Sequence, residues 1–556
     1  MNNGGAWMIL GFLVLGCSGT SSKTRTAGDA GVNSQGGTVG NGGNSNAGGT
    51  TGNGGTGGIG GTNVPAGGTN GVGGTGTSST LDVPNVCTPP AFAANVSSPN
   101  SVVGSGSGTC NEAALDSALA QGGIITFDCG SSDATITATS PKQITKDTVI
   151  DGGSKVTISG GGKQRIFVVS GAFNFTVQNI TLADAFLNGA RGNGPSSANS
   201  GAAIYRQSES QLRVINTAFK NNHATDAGAD IGGGAIYSYG GDTVIVGSLF
   251  DGNTGASGGA IGNLRSNLTI VNSVFVNNVA RDQMGGAIAT DGQNQNHGKV
   301  LTLCGLIVRG NQAQLEGGGL YRYGYPDEQT VINLCTFDGN RAVSQTEGLA
   351  GGLYVHTDTA GAMPLTMTNS TVSNNTSGNG AGGMFIYQAP FTLTNVTIAN
   401  NTATHSLGGG IAANGAPGTL RNCTIAGNHA DASDSFGGGI IGGSGITLVN
   451  SIVANNTAGN AWNPINCTDA CAAGDHDLQY PAKRSSGQDD NVCVTGITFA
   501  DPLLGSLADN GGPTQTLALL ASSPAIGAGA NCPDQDQRGH ARTGRCDIGA
   551  YQYDGP

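Results

Sequence analysis

Charged and aromatic side chains are scarce in this chain of 556 residues: Asp, Glu, Lys and Arg make up 10 % and Phe, Trp and Tyr 5 %. The formal net charge is −12, so no overall basic charge attracts nucleic acid phosphates or anionic membranes. The twelve cysteines match no zinc-ligand spacing, and an oxidising compartment explains them better. The sequence also lacks a calcium-binding nonapeptide repeat, a nucleophile elbow and a His-x-x-x-His motif.

Glycine is abundant instead, with 99 residues, or about 18 % where roughly 7 % is usual. That content excludes a conventional helical protein, because glycine destabilises helix interiors. The hydrophobic share of 37 % is sufficient for a core if the apolar residues are divided among short segments. The composition therefore favours a repetitive β architecture.

A short apolar run at residues 7–16 precedes Cys17 and cannot span a bilayer stably. Its ending, Val14-Leu15-Gly16-Cys17, resembles a bacterial lipobox, which implies that Cys17 carries the lipid. We predict a lipoprotein signal peptide at 1–17 and a disordered linker at 18–80, rich in Gly, Asn and Thr. The protein is then held at the outer membrane or cell surface, and the alternative is an ordinary signal peptide and secretion.

Residues 81–130 are predicted to cap the fold. Ala114, Leu115, Ala118 and Leu119 fall on one helical face, and Gly122-Gly123 ends the helix. A strand at 124–127 follows directly. A helix at this point can cover the open end of a stack of strands.

The middle of the chain is an internal repeat of about 29 residues in which an apolar residue is followed three positions later by Asn. The nine units are Phe219/Asn222, Phe250/Asn253, Phe275/Asn278, Val308/Asn311, Phe337/Asn340, Val372/Asn375, Ile398/Asn401, Ile425/Asn428 and Val453/Asn456. A Gly-Gly motif followed by Ile, Leu or Met alternates with them, as in Gly233-Gly-Ala-Ile236 and Gly438-Gly-Ile440.

This period predicts one coil of a right-handed parallel β-helix per repeat, an all-β fold, over residues 131–500. The phenylalanines are expected to fill the interior. We expect the repeated asparagines to adopt the left-handed turn conformation and to form a hydrogen-bonded ladder between coils. The Gly-Gly pairs are expected to form a second sharp corner.

The repeats resemble those of polymorphic outer membrane proteins and, more broadly, the pectate-lyase-like β-helix superfamily. Residues 501–556 are similar to the choice-of-anchor Q module, through Asp501-Pro-Leu-Leu-Gly505, Asp536-Gln-Arg-Gly539 and Cys546-Asp-Ile-Gly-Ala-Tyr551. That module follows a β-helix in proteins that are sorted to the cell surface. The resemblance therefore implies a surface protein.

Tyrosines follow the Gly-Gly motif in several coils and are predicted to align into an exposed aromatic stripe with two arginines beside it. The coils that begin at Gly258 and Gly285 lack such rings. An exposed stripe would suit carbohydrate or peptide binding, and the alternative is that outward β positions simply favour tyrosine. The candidate binding residues are Tyr205, Arg206, Tyr237, Tyr239, Tyr321, Arg322, Tyr323, Tyr354, His356, Phe385 and Tyr387.

No catalytic residues are predicted, because the acids of the repeats do not recur in one column and no Lys or Arg column accompanies them. Asp226 and Asp230 are weak candidates for a metal site, and Ca²⁺ is expected only if the protein is a lyase. Two local disulfides are predicted, Cys532–Cys546 and one among Cys467, Cys471 and Cys493. Cys335 and Cys423 occupy a small-residue position and are predicted to be buried thiols.

The favoured interpretation is a lipid-anchored surface protein that acts in adhesion or binds glycans or peptides, with a polysaccharide or protein as its ligand. The first alternative is a secreted polysaccharide lyase or glycoside hydrolase on the same scaffold, because fold does not determine function. The second alternative is a structural envelope protein. No cofactor and no nucleic acid partner is expected.

Overall fold

Four parallel β-sheets form the body of the computed structural model, which describes residues 82–189, 194–228, 230–293 and 299–555. Each coil of the chain adds one strand to sheet 3, then to sheet 1, sheet 2 and, in the middle coils, sheet 4. Every strand pairs with the equivalent strand of the next coil, so the architecture is the predicted parallel β-helix. The signal peptide, Cys17 and the linker 18–80 lie outside the described residues.

Sheet 1 has 14 strands: Ser101–Val103, Gly123–Phe127, Thr148–Asp151, Phe175–Gln178, Gln211–Ile215, Asp242–Val246, Asn267–Val271, Val300–Cys304, Gln329–Asn333, Leu365–Thr368, Phe391–Thr394, Gly418–Arg421, Ile446–Val449 and Ala473–Asp475. Sheet 2 has 14 strands: Ala134–Thr137, Val156–Ser159, Thr181–Ala183, Ala218–Lys220, Leu249–Asp251, Val274–Val276, Ile307–Arg309, Thr336–Asp338, Thr371–Ser373, Thr397–Ala399, Thr424–Ala426, Ile452–Ala454, Leu478–Tyr480 and Thr498–Phe499.

Sheet 3 has 11 strands: Lys142–Ile144, Phe167–Ser170, Ile204–Gln207, Ile236–Tyr239, Ile261–Leu264, Ile288–Asp291, Leu320–Gly324, Leu353–Thr357, Met384–Tyr387, Ile411–Asn414 and Ile440–Ile441. Sheet 4 has seven strands: Thr254–Gly255, Val279–Ala280, Gln312–Ala313, Arg341–Ala342, Thr376–Ser377, Thr402–Ala403 and His429–Ala430. A 3-10 turn spans Gly443–Gly445, and an antiparallel pair, Leu504–Ala508 with Thr516–Leu519, lies in the C-terminal segment.

The repeated asparagines are buried and form the predicted ladder. Each side-chain N–H donates to the side-chain oxygen of the next asparagine over 2.9–3.0 Å, from Asn222 through Asn456. That oxygen also accepts the backbone N–H of the asparagine one coil earlier, as between Asn278 and Asn311 at 2.9 Å. The ladder thus satisfies a buried amide in nine successive coils.

The expected left-handed conformation belongs to a different residue. The residue with positive φ is the one before each ladder asparagine, where Asn or Gly stands: Asn221, Gly252, Asn277, Gly310, Gly339, Asn374, Asn400, Gly427 and Asn455. The expectation for the ladder asparagines themselves was wrong. The turn requires its positive φ one residue earlier, and this leaves the next side chain directed inward.

The Gly-Gly corner is confirmed, and in the coils with the motif Gly-Gly-Ala-Ile its two glycines serve different needs. Gly258 has φ +59, which L side chains rarely adopt. Gly259 has an ordinary φ, but a Cβ there would lie 2.1 Å from the carbonyl oxygen of Gly286 in the next coil. The second glycine therefore permits close stacking of backbones.

Apolar columns fill the interior as expected. Phe219, Phe250 and Phe275 are fully buried and stack face to face, with ring centroids 4.7 and 4.5 Å apart. The predicted capping helix, α1 (Glu112–Gln121), buries Leu115, Ala118 and Leu119 against the first coils. No helix in the part of the chain that the structure describes is long and apolar enough to cross a membrane.

Two terminal segments pack along the corner between sheets 1 and 2. The N-terminal segment, residues 82–100, is joined to the solenoid by the Cys87–Cys304 disulfide and by hydrogen bonds between Cys87 and Asn272. The C-terminal segment, residues 501–555, runs back over sheet 2. There Gln537 bonds to Thr397 over 2.7 Å and to Thr371 over 2.8 Å.

The cysteines follow the predictions in part. Cys532–Cys546 and Cys467–Cys493 are disulfides, as expected, and Cys87–Cys304 and Cys110–Cys129 are two further ones. Cys335 and Cys423 are buried thiols whose pKa burial raises to about 12.

The ladder gives a testable prediction about stability. Asn311→Ala removes the acceptor of two N–H groups of Asn278 and leaves both buried without a partner. We expect it to lower the free energy of unfolding by about 2–4 kcal/mol, measured by urea denaturation. Asn85→Ala, at an exposed position, is the control and should change stability by less than about 0.5 kcal/mol. Equal stability of the two variants would contradict a structural role for the ladder.

Candidate functional site

The outer face of sheet 3 carries two aligned columns of side chains. The first column is Tyr205, Tyr237, Gly262, Ala289, Tyr321, Tyr354, Phe385 and Ala412. The second column is Gln207, Tyr239, Leu264, Asp291, Tyr323, His356, Tyr387 and Asn414. The predicted alignment of the rings is thereby confirmed, and so is its interruption in the two coils between.

Six rings interlock into what we call the aromatic block: Tyr321, Tyr323, Tyr354, His356, Phe385 and Tyr387. Within the first column Tyr354 stacks between Tyr321 and Phe385, at centroid distances of 5.5 and 5.4 Å. Within the second column His356 meets Tyr323 and Tyr387 edge to face, each at 4.9 Å. These ring contacts favour one mutual arrangement of the six side chains.

The face is more enclosed than a flat stripe would be. Tyr205, Tyr237 and Tyr354 are only 2 %, 3 % and 6 % exposed. The Tyr237 ring leans over Gly262, where a Cβ would lie 2.7 Å from it. Its hydroxyl donates to the carbonyl oxygen of Asp230 over 2.8 Å. The expectation that the rings are exposed was therefore wrong for these three tyrosines, because ring stacking and loop contacts bury them.

Arg206 and Arg322 do not lie on this face, which corrects their assignment beside the rings. Both side chains are fully buried inside the solenoid. The physical reason is the alternation of side chains along a strand: since Tyr205 points outward, Arg206 must point inward. The guanidinium of Arg206 donates to the carbonyl oxygens of Ser208 and Ser210, both at 2.8 Å.

Arg322 is paired inside the protein with Glu328, at 2.5 Å. Glu328 also accepts the backbone N–H groups of Gln293 and Tyr325, at 2.8 and 3.2 Å. This buried pair therefore fixes the corner that carries Tyr325, a ring 40 % exposed beside the aromatic block. Sequence reasoning missed Glu328, because only the fold brings it to Arg322.

Two carboxyl groups that sequence reasoning did not single out flank the aromatic block. Burial raises the pKa of Asp291 to about 6, with Asp230 adding repulsion, and burial likewise raises the pKa of Glu316 to about 7. Asp291 Oδ1 and Glu316 Oε2 are buried without a hydrogen-bond partner in the part of the chain that the structure describes. Both acids raise the pKa of Tyr321, after burial as the main cause, so its ring lies near both of them.

Asp358 forms a polar edge on the aromatic block. It accepts a hydrogen bond from the Tyr323 hydroxyl, and its Oδ1 lies 3.0 Å from His356 Nε2. Burial lowers the pKa of His356, which favours the neutral ring near pH 7. Sequence reasoning named both rings but gave Asp358 no role at this site.

The weak metal candidates lie at the loop between sheets 4 and 3. Asp226 Oδ1 is 3.1 Å from Arg281 Nε and 3.2 Å from His223 Nε2, so this carboxylate already has a cationic neighbour. Within the described ranges no group of three or more His, Cys, Asp or Glu side chains could hold a metal ion.

The family model for the right handed beta helix region matches residues 319–471. The fold is thus the predicted right-handed parallel β-helix. No curated protein sequence matches the chain.

Two solved structures are similar. The A-module of mannuronan C-5 epimerase AlgE6 from Azotobacter vinelandii shares 13 % identity at a TM-score of 0.38, over 66 % of this chain and 95 % of its own. The periplasmic alginate epimerase AlgG shares 12 % at 0.32, over 64 % of this chain and 76 % of its own. At these identities and TM-scores, neither similarity bears on the function of this chain.

The raised carboxyl pKa values predict a pH effect on stability. The folded state keeps the Asp291 and Glu316 protons up to pH values of about 6 and 7, above the ordinary values of 3.8 and 4.5. The folded state therefore binds more protons than the unfolded state across this interval, so stability falls as pH rises through it.

As pH rises, the free energy of unfolding of the unaltered protein falls. We expect this fall to be smaller, by on the order of 2 kcal/mol, in the double variant Asp291→Asn with Glu316→Gln. Urea denaturation at pH 4 to 8 measures it. Buried Asp477, whose pKa is raised to about 7, contributes equally to both proteins and cancels in the comparison. An unchanged pH profile would show that the two acids are ordinary exposed carboxyls.

Proposed function

We propose that this protein binds glycan chains along the outer face of sheet 3. The aromatic block is the observation that carries the proposal. Sugar rings present apolar faces that stack on aromatic side chains, and their hydroxyl groups need polar partners at the edge. Tyr323, Asp358 and His356 supply such an edge next to the stacked rings.

The solenoid suits an extended ligand. Successive coils repeat at about 4.8 Å, so the three coils that carry the aromatic block present rings at regular intervals along one line. The proposal includes anchoring through a lipid on Cys17 at the outer membrane or cell surface, in an adhesion-like role. Secretion and a protein ligand are the alternatives.

Ring removal tests glycan binding. Phe385→Ala and Tyr387→Ala each delete a half-buried ring of the aromatic block, and we expect at least tenfold weaker retention on a glycan array, corresponding to about 1.4 kcal/mol per ring. Phe92→Ala, which removes a ring that is 73 % exposed in the N-terminal segment, is the matched control. Equal retention of all three variants and the unaltered protein would refute the site.

A second candidate function, cleavage of the bound glycan, rests on Asp291 and Glu316. Carboxyl groups with pKa values of about 6 and 7 can act as general acids near neutral pH. The test is reducing-end release from glycans that the array retains, with and without Ca²⁺. Turnover that Asp291→Asn or Glu316→Gln abolishes would establish an enzyme, and retention without any product would leave a binding protein.

A further inference from the structure

Tyr325 is not part of the aromatic block, yet its ring stands in line with three rings of that block. The corner that follows Leu320–Gly324 folds the Tyr325 ring back over the preceding coil, where a Cβ on Gly292 would lie 3.1 Å from it. From this ring onward, the centroids along the second column follow one another at 5.2, 4.9 and 4.9 Å. We call these four rings the outer row: Tyr325, Tyr323, His356 and Tyr387.

The spacings within the outer row match the distance of about 4.8 Å between neighbouring strands. The row therefore places one ring on each of four successive coils. The first column lacks a ring at Ala289, but in the second column the Tyr325 ring fills the place beside Asp291. Tyr325 is 40 % exposed and the other three rings are half-buried. The accessible line of rings is thus one coil longer than the aromatic block.

The rings of the first column and those of the outer row meet in different ways. In the first column Tyr354 is stacked between two neighbours, so both of its faces are already covered. In the outer row the neighbouring planes meet at 74°, 77° and 82°. An edge-to-face contact covers the face of one ring and only the edge of the other. The outer row therefore keeps ring faces on which a sugar can stack.

Tyr325 is held in its position by the protein itself. Its backbone N–H donates to the Glu328 carboxylate, and its carbonyl oxygen accepts the Glu328 N–H, each over 3.2 Å. Glu328 is itself buried and paired with Arg322. The Tyr325 hydroxyl is hydrogen-bonded to the Asp291 carboxyl group. A ring that is ordered in advance loses little conformational entropy when a ligand stacks on it.

The charges along the outer row suit an uncharged ligand. Over its four coils, the outward positions named above include no Lys or Arg and a single acid, Asp291. The carboxyl group of that acid is hydrogen-bonded to Tyr325. Asp358, at the edge of the row, is hydrogen-bonded to two of its rings. The exposed side chain of Arg265 belongs to the coil before Asp291.

We propose that Tyr325 is a glycan-binding residue and that the outer row takes a straight, uncharged chain of about four sugars, one on each coil. The chain must be straight because the rings follow the axis of the solenoid. Hexoses in β-1,4 linkage form such chains, whereas hexoses in α-1,4 linkage coil. This inference rests on the proposed function and deepens it, since it adds a binding residue and assigns the length, shape and charge of the ligand.

Calorimetry with the full chain and oligomers of β-1,4-linked glucose tests the inference. We expect the affinity to rise about fivefold from three units to four, which corresponds to one further ring contact. It should change little beyond four units, because Leu264 and Asn414 stand in the second column where the row ends. Oligomers of α-1,4-linked glucose and of galacturonate should bind about tenfold more weakly at equal length.

Substitution of Tyr325 tests its role. Tyr325→Ala should lower the affinity for four units to that for three units and change the affinity for three units by less than about twofold, because the other rings remain. Tyr325→Phe keeps a ring and should keep the gain. Phe499→Ala removes a ring that is 42 % exposed on the last strand of sheet 2 and is the matched control. Thermal unfolding of each variant shows that the fold is kept.

A gain that survives in Tyr325→Ala, or an equal loss for three and four units, would overturn the role of Tyr325. Equal binding of the α-1,4-linked or galacturonate oligomers, or no binding of the β-1,4-linked ones, would overturn the assigned ligand. The glycan site itself then stands if Phe385→Ala and Tyr387→Ala still lower retention on the array. If both variants retain every glycan as well as the unaltered protein does, the proposed function fails too.

Discussion

The asparagine ladder is the interaction on which the rest of the structure depends. Each buried amide bonds to the next coil, so a coil displaced by one residue would leave two of its N–H groups without acceptors in the interior. Because side chains alternate, the same displacement would also turn every apolar residue outward. The ladder therefore fixes the register of the nine coils that it joins, from Asn222 to Asn456. Loops of different length can be accommodated between sheets 4 and 3 without disturbing this register.

That fixed register decides what the outer face of sheet 3 can offer. Side chains two residues apart share a face, which brings Tyr321 to Tyr354 and Tyr323 to His356 in neighbouring coils. The same alternation directs Arg322 into the core, where it requires Glu328 as a partner because an unpaired buried charge is costly. The outer face therefore carries acidic side chains, whereas the arginine side chains on the same strands point into the interior.

The sequence was sufficient for features that one coil encodes by itself. The ladder, the Gly-Gly corners, the capping helix and the gap at Gly262 and Ala289 all follow from residue type and spacing. Contacts between residues of different coils could not be predicted from residue type and spacing. The environments of Asp291 and Glu316 depend on loops from different coils, and Cys87 meets Cys304 across 217 residues. Arg206 was a different case, since strand alternation alone would have placed it inside.

The terminal segments explain why sheet 3 is the face available for a ligand. Residues 82–100 bond to the ends of sheet 1 strands through Cys87, and residues 501–555 bond to sheet 2 through Gln537. Both segments thus occupy the corner between sheets 1 and 2 and cover positions where another chain could dock. Sheet 3 precedes sheet 1 in each coil and so borders it on the side away from sheet 2. The half-buried rings of its aromatic block retain solvent contact at Phe385 and Tyr387. A binding face on the solenoid is therefore best placed on the side that the protein does not cover with its own termini.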